Sequence, residues 1–235
     1  MKHTLKYFCS ILALCACLAV NAQESVYEAM PRRQVFVRFG CDLSRFALPY
    51  VGDIGSRGVE FSVDGELNYN YFPVVEIGRQ SVKHNTDSIR YKMNGNYFRV
   101  GLDYNILKYK HRLDRDICFV GVRVGCSKFS QEVPYVEVRN FRYDIVADMP
   151  KSNLDAYWGE AVVGLKGELL KNLYMGITVR AKMMFTHANY NTVTPYIVPG
   201  FGKGYNKINA GLSYSIMYAI PIRGAGDDGF PQEEF

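Results

Sequence analysis

The sequence predicts an all-β protein, a single antiparallel up-and-down transmembrane β-barrel of about eight strands. Three observations support this: alternation of large apolar with small or polar residues, an N-terminus typical of exported chains, and connections that alternate in length. Because successive side chains of a strand point to opposite faces, alternation of this kind produces a sheet with one apolar and one polar face.

The first 22 residues have the organisation of a signal peptide. Lys2 and Lys6 precede an apolar run that ends in small residues at 20–22, so we predict cleavage before Gln23. The run is too short to be a membrane-spanning helix. Lipoprotein processing at Cys17 is the alternative, since the residues around it loosely resemble a lipobox. Either route exports the chain.

The domain organisation follows from this signal. We predict a signal peptide at 1–22, a periplasmic segment at 23–33, the barrel at 34–222 and an acidic, disordered tail at 223–235. The predicted strands are 34–44, 57–67, 71–80, 96–106, 116–128, 156–169, 172–185 and 207–221.

The connections between these strands predict the two ends of a barrel. Long loops are predicted at 44–56, 81–95, 129–155 and 186–206, and shorter turns at 68–70, 107–114 and 170–172. Outer-membrane barrels have long extracellular loops and short periplasmic turns, with lipid outside and a polar lumen. Aromatic residues near the short turns, including Tyr71, Phe72, Tyr104 and Tyr174, are expected to form an interfacial girdle.

The polar face of the strands carries charges of both signs among glycines. An eight-stranded barrel is only wide enough inside for side chains, so inward charges must pair with one another. We therefore expect a structural charge network rather than an ion path. Its expected members are Arg38, Asp42, Glu60, Arg99, Asp103, Arg123, Glu160, Lys166, Glu168, Arg180 and Lys182.

The last strand looks like the assembly signal of outer-membrane barrels. Asn209 is followed by Gly211 and then by Tyr214 and Ile216 at alternating positions. The resemblance implies delivery to the barrel-assembly machinery and contact with outer-membrane lipid. The usual signal lies at the extreme C-terminus, whereas the tail follows it here.

Longer stretches carry a family resemblance. They include the run from Asn96 to Asn105, Trp158-Gly159-Glu160 and Pro199-Gly200-Phe201. With these, the chain resembles a family of uncharacterised exported proteins of Gram-negative gut anaerobes, classed as a domain of unknown function. The resemblance implies an outer-membrane barrel and implies no activity.

Catalytic, metal and nucleic-acid sites find little support. No cofactor or metal site is expected, and the net charge of +5 is spread without a basic stripe for nucleic acid. The alternative of a barrel enzyme acting on lipid or peptide places His84 or His187 at the rim, with Asp87, Ser88 and Thr186 nearby in sequence.

The predicted function is that of a small outer-membrane barrel with a filled lumen and a structural or surface-interaction role. An apolar loop segment with Tyr196, Pro199 and Phe201 is either a binding patch for an extracellular partner or packed against its neighbours. A soluble periplasmic barrel is a further alternative. In that protein the faces would be inverted, and Phe98, Val100 and Leu102 would line a cavity for an apolar ligand.

Overall fold

The computed structural model describes residues 35–45, 55–67, 70–85, 89–107, 116–139, 144–185 and 194–222. The predicted signal peptide, the segment 23–33 and the acidic tail lie outside these residues. Among the described residues, no helix is long and apolar enough to cross a membrane.

The described residues form ten strands. They are β1 (Val35–Asp42), β2 (Gly55–Gly65), β3 (Tyr71–Asn85), β4 (Ile89–Asn105), β5 (Ile117–Arg139), β6 (Asp144–Leu170), β7 (Leu173–Met184), β8 (Ile197–Val198), β9 (Gly202–Lys203) and β10 (Ile208–Ile222). Eight of them form a closed barrel in the order β1-β10-β7-β6-β5-β4-β3-β2, and β8 pairs with β9 in the β7–β10 connection. The predicted fold class is therefore confirmed.

Every pairing in the barrel is antiparallel, and β10 closes the barrel on β1 from Val35↔Ile222 to Asp42↔Ser215. The connections β1–β2, β3–β4, β5–β6 and β7–β10 lie at one end, which we call the long-loop end. The opposite end is the short-turn end. There β6 and β7 are joined through Lys171 and Asn172, and Asn172 adopts the left-handed conformation with φ 66°.

For two of the long loops, the prediction is wrong over most of the length. β3 and β4 stay paired as far as Asn85↔Arg90, and β5 and β6 stay paired as far as Arg139↔Asp144. The region 81–95 and most of 129–155 are therefore strand. The reason is that polar and apolar side chains exchange faces along these strands. This exchange interrupts the alternation that was used to predict the strands.

This reversal occurs at one level of the barrel wall. Ile77, Phe98, Cys126 and Tyr157 are register partners across β3 to β6 and all point outward. We call them the boundary row. The part of the barrel wall between the boundary row and the short-turn end has an apolar outer face, and we call it the band section. The part between the boundary row and the long-loop end is the raised section.

In the band section the charges point inward and the apolar side chains point outward. Phe98, Val100 and Leu102 are 42%, 48% and 40% exposed on the outside, whereas Arg99 and Asp103 are fully buried inside. The alternative with inverted faces and an apolar cavity is therefore wrong. In the raised section polar side chains point outward and apolar side chains point inward. Lys92 and Asn94 point outward, and Met93 points inward.

Glycines on the inward face make room for large neighbours in this narrow interior. Gly125 is the register partner of Trp158, and a Cβ at Gly125 would overlap the indole ring. Gly78 has the same relation to Tyr97. The two largest aromatic side chains near the boundary row thus lie across inward glycines.

The expected aromatic girdle forms only in part. Tyr71 and Tyr104 face outward at the short-turn end with their ring centroids 5.2 Å apart. Phe72 and Tyr174 point into the lumen instead and are almost fully buried, so their assignment to the girdle is wrong. Their positions lie on the inward parity of β3 and β7.

Candidate functional site

The interior of the band section is a connected network of ion pairs, and its centre is Arg99 on β4. The guanidinium of Arg99 contacts three carboxylates, those of Glu60, Glu76 (2.7 Å) and Glu160 (3.4 Å). Arg180 on β7 lies beside it and binds Glu76 at 2.9 Å and Glu160 at 3.3 Å. Two arginines therefore share three carboxylates contributed by three other strands.

Towards the short-turn end, the network continues through lysine and aspartate. Lys166 bridges Asp64 at 2.8 Å and Asp103 at 3.5 Å. Arg38 binds Asp64 at 2.6 Å, and Arg123 joins Asp103 at 3.1 Å to Glu76 at 3.3 Å. Arg123 thus connects this part of the network to the carboxylates around Arg99.

Aromatic rings cover the network at the short-turn end. The guanidinium of Arg38 lies 4.9 Å from the Phe72 ring centroid and 5.6 Å from that of Tyr174. The ammonium group of Lys166 lies 4.6 Å from the ring centroid of Phe119. These distances are those of cation–π contacts, so the inward rings stabilise the cations as well as closing this end.

The signs of the network charges are nearly balanced within the described residues. The acidic members are Asp42, Glu60, Asp64, Glu76, Asp103 and Glu160, and the basic members are Arg38, Arg45, Arg99, Arg123, Lys166, Arg180 and Lys182. Removing charges from water is costly, and good pairing geometry is needed to offset that cost. Each central arginine therefore contacts more than one carboxylate.

A small cavity lies between the described side chains of the network. A cavity of about 30 Å³ lies among the charged groups and the hydroxyl side chains of Ser62, Thr178, Ser213 and Ser215. A space of this size holds roughly one or two water molecules.

The mouth segment, residues 194–206 in the β7–β10 connection, covers the long-loop end of the network. Its Gly200 lies in the left-handed conformation with φ 75°. The Gly200 carbonyl accepts a 2.6 Å hydrogen bond from Lys182 Nζ, and its N–H donates to Gln80 Oε1 at 3.2 Å. Inward polar side chains of β7 and β3 thus hold one backbone position of the segment.

Apolar packing fixes the same segment. Val198 and Phe201 are buried in a cluster with inward residues of the raised section. The ring of Phe201 lies 5.9 Å from that of Trp158, whose Nε1–H donates to Glu160 Oε1 at 2.7 Å. Trp158 therefore connects the aromatic cluster to the charge network.

A group of rings, from the buried Tyr91 to the exposed Tyr196 and Tyr205, surrounds one side of the mouth segment. Tyr196 stacks on His84 at 6.3 Å and contacts Tyr91 and Tyr205 at 6.0 Å each, measured between ring centroids. Burial raises the pKa of Tyr91 to about 12, so this phenol stays neutral at physiological pH.

Most predicted network members lie in the network. Glu168 lies beside the β6–β7 turn, where its Oε1 accepts a hydrogen bond from the Asn172 N–H at 2.7 Å and stabilises the turn. Asp42 lies where β1 ends, and its Oδ1 accepts hydrogen bonds from the backbone N–H and the hydroxyl of Ser44. Arg45 is 3.7 Å from its carboxylate.

The apolar loop segment is packed rather than exposed. Phe201 is only 1% exposed, and Pro199 is also buried, so neither forms a surface patch. Tyr196 is exposed at 38%. Of the two alternatives for this segment, packing against neighbours holds for Pro199 and Phe201 and a binding patch does not, because the segment turns into the barrel mouth.

The residues of the predicted assembly signal all lie on β10. Leu212, Tyr214 and Ile216 pair with Val179, Ile177 and Met175 on the outward parity of β7. Asn209 donates a hydrogen bond to the Lys203 carbonyl at 2.8 Å.

The residues of the predicted rim site are only partly described. His84 contacts a tyrosine ring, whereas Asp87, Ser88, Thr186 and His187 lie outside the described residues. In the part of the chain that is described, no group of three or more His, Cys, Asp or Glu side chains is arranged to hold a metal ion.

Several network members escaped sequence-based prediction. Arg45 follows β1 in a predicted loop, yet it reaches Glu60 at 3.1 Å. Tyr97 donates a 2.5 Å hydrogen bond to the same carboxylate. Asp64 and Glu76 lie on the polar face that the sequence predicts, although they are not among the expected network members. Tyr97 and Trp158 share this inward parity, which is the signal that identifies them.

The sequence is similar to a known protein family. The sequence matches a family model over residues 4–224, and the family is described as a domain of unknown function, DUF6048. The chain belongs to the DUF6048 family. This confirms the resemblance to a family of unknown function, whereas an origin in gut anaerobes stays a prediction. The DUF6048 chain has no match among curated proteins.

Some solved barrels are similar in structure to the DUF6048 chain. Ail, the attachment invasion locus protein of Yersinia pestis, is 8% identical, with 80% of this chain and 97% of that chain covered and a TM-score of 0.39. A major outer membrane protein from Thermus thermophilus is 11% identical, with 80% and 98% covered and a TM-score of 0.46. Neisserial surface protein A is 11% identical, with 78% of this chain and 96% of that chain covered and a TM-score of 0.35.

Proposed function

We propose that this protein is an outer-membrane β-barrel that does not conduct and that has a structural or surface-interaction role. The observation that carries the proposal is the sorting of side chains in the band section. Apolar side chains such as Val122 and Val124, 66% and 59% exposed, cover the outside, and charged side chains fill the inside. Water outside the barrel would favour the opposite arrangement, whereas lipid favours this one.

The proposed orientation places the short-turn end in the periplasm and the long-loop end outside the cell. The exposed pair Tyr71 and Tyr104 supports it, because aromatic side chains prefer the membrane interface. The raised section supports it as well, since its polar outer face suits water. The proposed partners are outer-membrane lipid and the barrel-assembly machinery, the latter through Asn209, Gly211, Tyr214 and Ile216.

The proposal of a closed lumen rests on the network and the mouth segment together. Ion pairs fill the band section, and Phe201 and Val198 pack above them. Eight-stranded barrels have interiors that side chains can fill. The proposal includes no catalytic role, and His84 is assigned to packing against Tyr196.

Cell fractionation tests the membrane location. We expect the protein in the outer-membrane fraction, with a folded form that migrates faster in detergent gels until it is heated. Recovery in the soluble periplasmic fraction without detergent would contradict the proposal.

Planar-bilayer recording tests the closed lumen. The folded protein is expected to give no steady conductance at neutral pH. As a matched comparison, a variant that lacks residues 196–204 exposes the network at the long-loop end, and it too is expected to stay closed because the ion pairs remain. A steady conductance of the unmodified protein would show an open path.

A further inference from the structure

The outer face of the raised section is strongly basic on one side of the barrel. Arg57, Arg79, Lys83, Lys92 and Lys128 project outward from the adjacent strands β2 to β5 and are exposed. We call these five residues the basic patch. Glu132 on β5, opposite Lys92, is an acidic side chain on this face, and Asp155 lies at its edge, opposite Lys128.

The basic patch begins directly above the apolar band. Arg79, Asn96 and Lys128 are register partners in the row next to the boundary row. Residues two apart on a strand are separated by about 7 Å, and tilt makes the rise along the barrel axis smaller. The first cations therefore lie within one row of the level at which the hydrocarbon band ends.

Two lysines of the basic patch face each other. Lys83 and Lys92 are direct register partners on β3 and β4, so their Cβ atoms are about 5 Å apart. Like charges placed directly opposite destabilise a sheet. Nearby, Arg79 Nε donates a 3.3 Å hydrogen bond to Asn94 Oδ1, which orients this guanidinium along the outer face.

Further round the barrel, the large exposed side chains lie at or below the boundary row. Tyr157 and Phe185 lie at the boundary row, and Met183 and Ile208 lie one row closer to the short-turn end. Among the described residues of the barrel strands, the exposed cations beyond the boundary row lie on β2–β5. Their grouping on adjacent strands is what a binding site requires.

From this placement we infer that the basic patch binds the phosphate groups of a lipid in the outer leaflet, with the acyl chains of that lipid lying on Phe61, Ile77 and Phe98. The inference rests on the proposed membrane location. Phosphate is the matching ligand because several cations lie close together at headgroup level, and cations near an anionic membrane surface each add to the affinity.

Binding of diphosphoryl lipid A to the folded protein in zwitterionic detergent, measured by native mass spectrometry, tests the inference. Lys83→Gln/Lys92→Gln is expected to bind roughly thirtyfold more weakly, since each lysine near such a surface contributes about fivefold. The charge-preserving Lys83→Arg/Lys92→Arg variant is expected to bind like the unmodified protein.

A matched control removes the same charge elsewhere. Lys203→Gln/Lys207→Gln lies outside the basic patch and is expected to leave binding unchanged. Lipid A without phosphates is expected to bind the unmodified protein as weakly as diphosphoryl lipid A binds the Lys83→Gln/Lys92→Gln variant. Equal binding by the unmodified protein and the Lys83→Gln/Lys92→Gln variant, or tight binding of the phosphate-free lipid, would overturn the inference.

Insertion into vesicles of pure phosphatidylcholine separates this inference from the proposed function. Failure to insert would contradict the membrane location itself. Insertion without a preference for phosphorylated lipid A would leave the membrane location supported and refute the basic patch as a lipid site.

Discussion

The band section and the raised section are built from the same strands but sort their side chains in opposite ways. On β4, Val100 and Phe98 point outward and Arg99 inward in the band section, whereas Lys92 points outward and Met93 inward in the raised section. The wall and its hydrogen bonds continue through both. The medium around the wall, not the wall itself, therefore determines which residues face out.

The largest expected effect comes from the centre of the charge network. Arg99→Met leaves the carboxylates of Glu60, Glu76 and Glu160 with fewer partners in a buried site, so we expect a loss of about 3–5 kcal/mol of unfolding free energy. Urea unfolding in vesicles measures it. Arg79→Met, at an exposed arginine on the neighbouring strand, is the control and is expected to change stability by less than about 0.5 kcal/mol. Equal effects would remove the distinction between inside and outside.

A charge on the outside of the band section tests the same distinction from the other face. Val122→Arg is expected to cost about 2–4 kcal/mol, because the side chain would lie in hydrocarbon near the midplane. Asn94→Arg on the outside of the raised section is the matched change and is expected to cost almost nothing. Unfolding in vesicles reports both. A harmless Val122→Arg would mean that water surrounds the band section.

A smaller effect is expected where the two sections meet. Gly125→Val places two methyl groups against the indole of Trp158, and overpacking of this kind costs about 1–3 kcal/mol. Adding Trp158→Leu to this variant creates space and is expected to recover part of the loss. The same unfolding assay measures it, and a Gly125→Val barrel as stable as the unmodified protein would contradict the tight fit.

Alternation in the sequence predicted the eight barrel strands and most of the network, because side-chain parity is a local property of a strand. Arg99, Arg123 and Glu160 could be assigned to the interior on parity alone. The strand extensions were missed because apolar residues change parity at the boundary row. Only the neighbouring strands reveal that row, through the register of Phe98 with Ile77 and Cys126.

The long-range parts of the site were beyond local reasoning. Phe201 is far from Trp158 in sequence, so the apolar pattern around Phe201 allows packing against neighbours but does not identify the barrel mouth as the place. Arg45 likewise reaches Glu60 from outside any strand. Glu168 has the predicted parity and lies next to a turn, where it accepts a hydrogen bond from the Asn172 N–H.

Tryptophan fluorescence in vesicles with bromine on the upper acyl chains tests the sorting of side chains most directly. The chain has a single tryptophan, and Trp158 points inward beside the outward Tyr157 at nearly the same level. We predict little quenching of Trp158 in the unmodified protein and strong quenching in the Tyr157→Trp/Trp158→Phe variant. Both proteins are expected to migrate faster in detergent gels until they are heated. Stronger quenching of Trp158, or none in either protein, would contradict a lipid-facing apolar band around a charged interior.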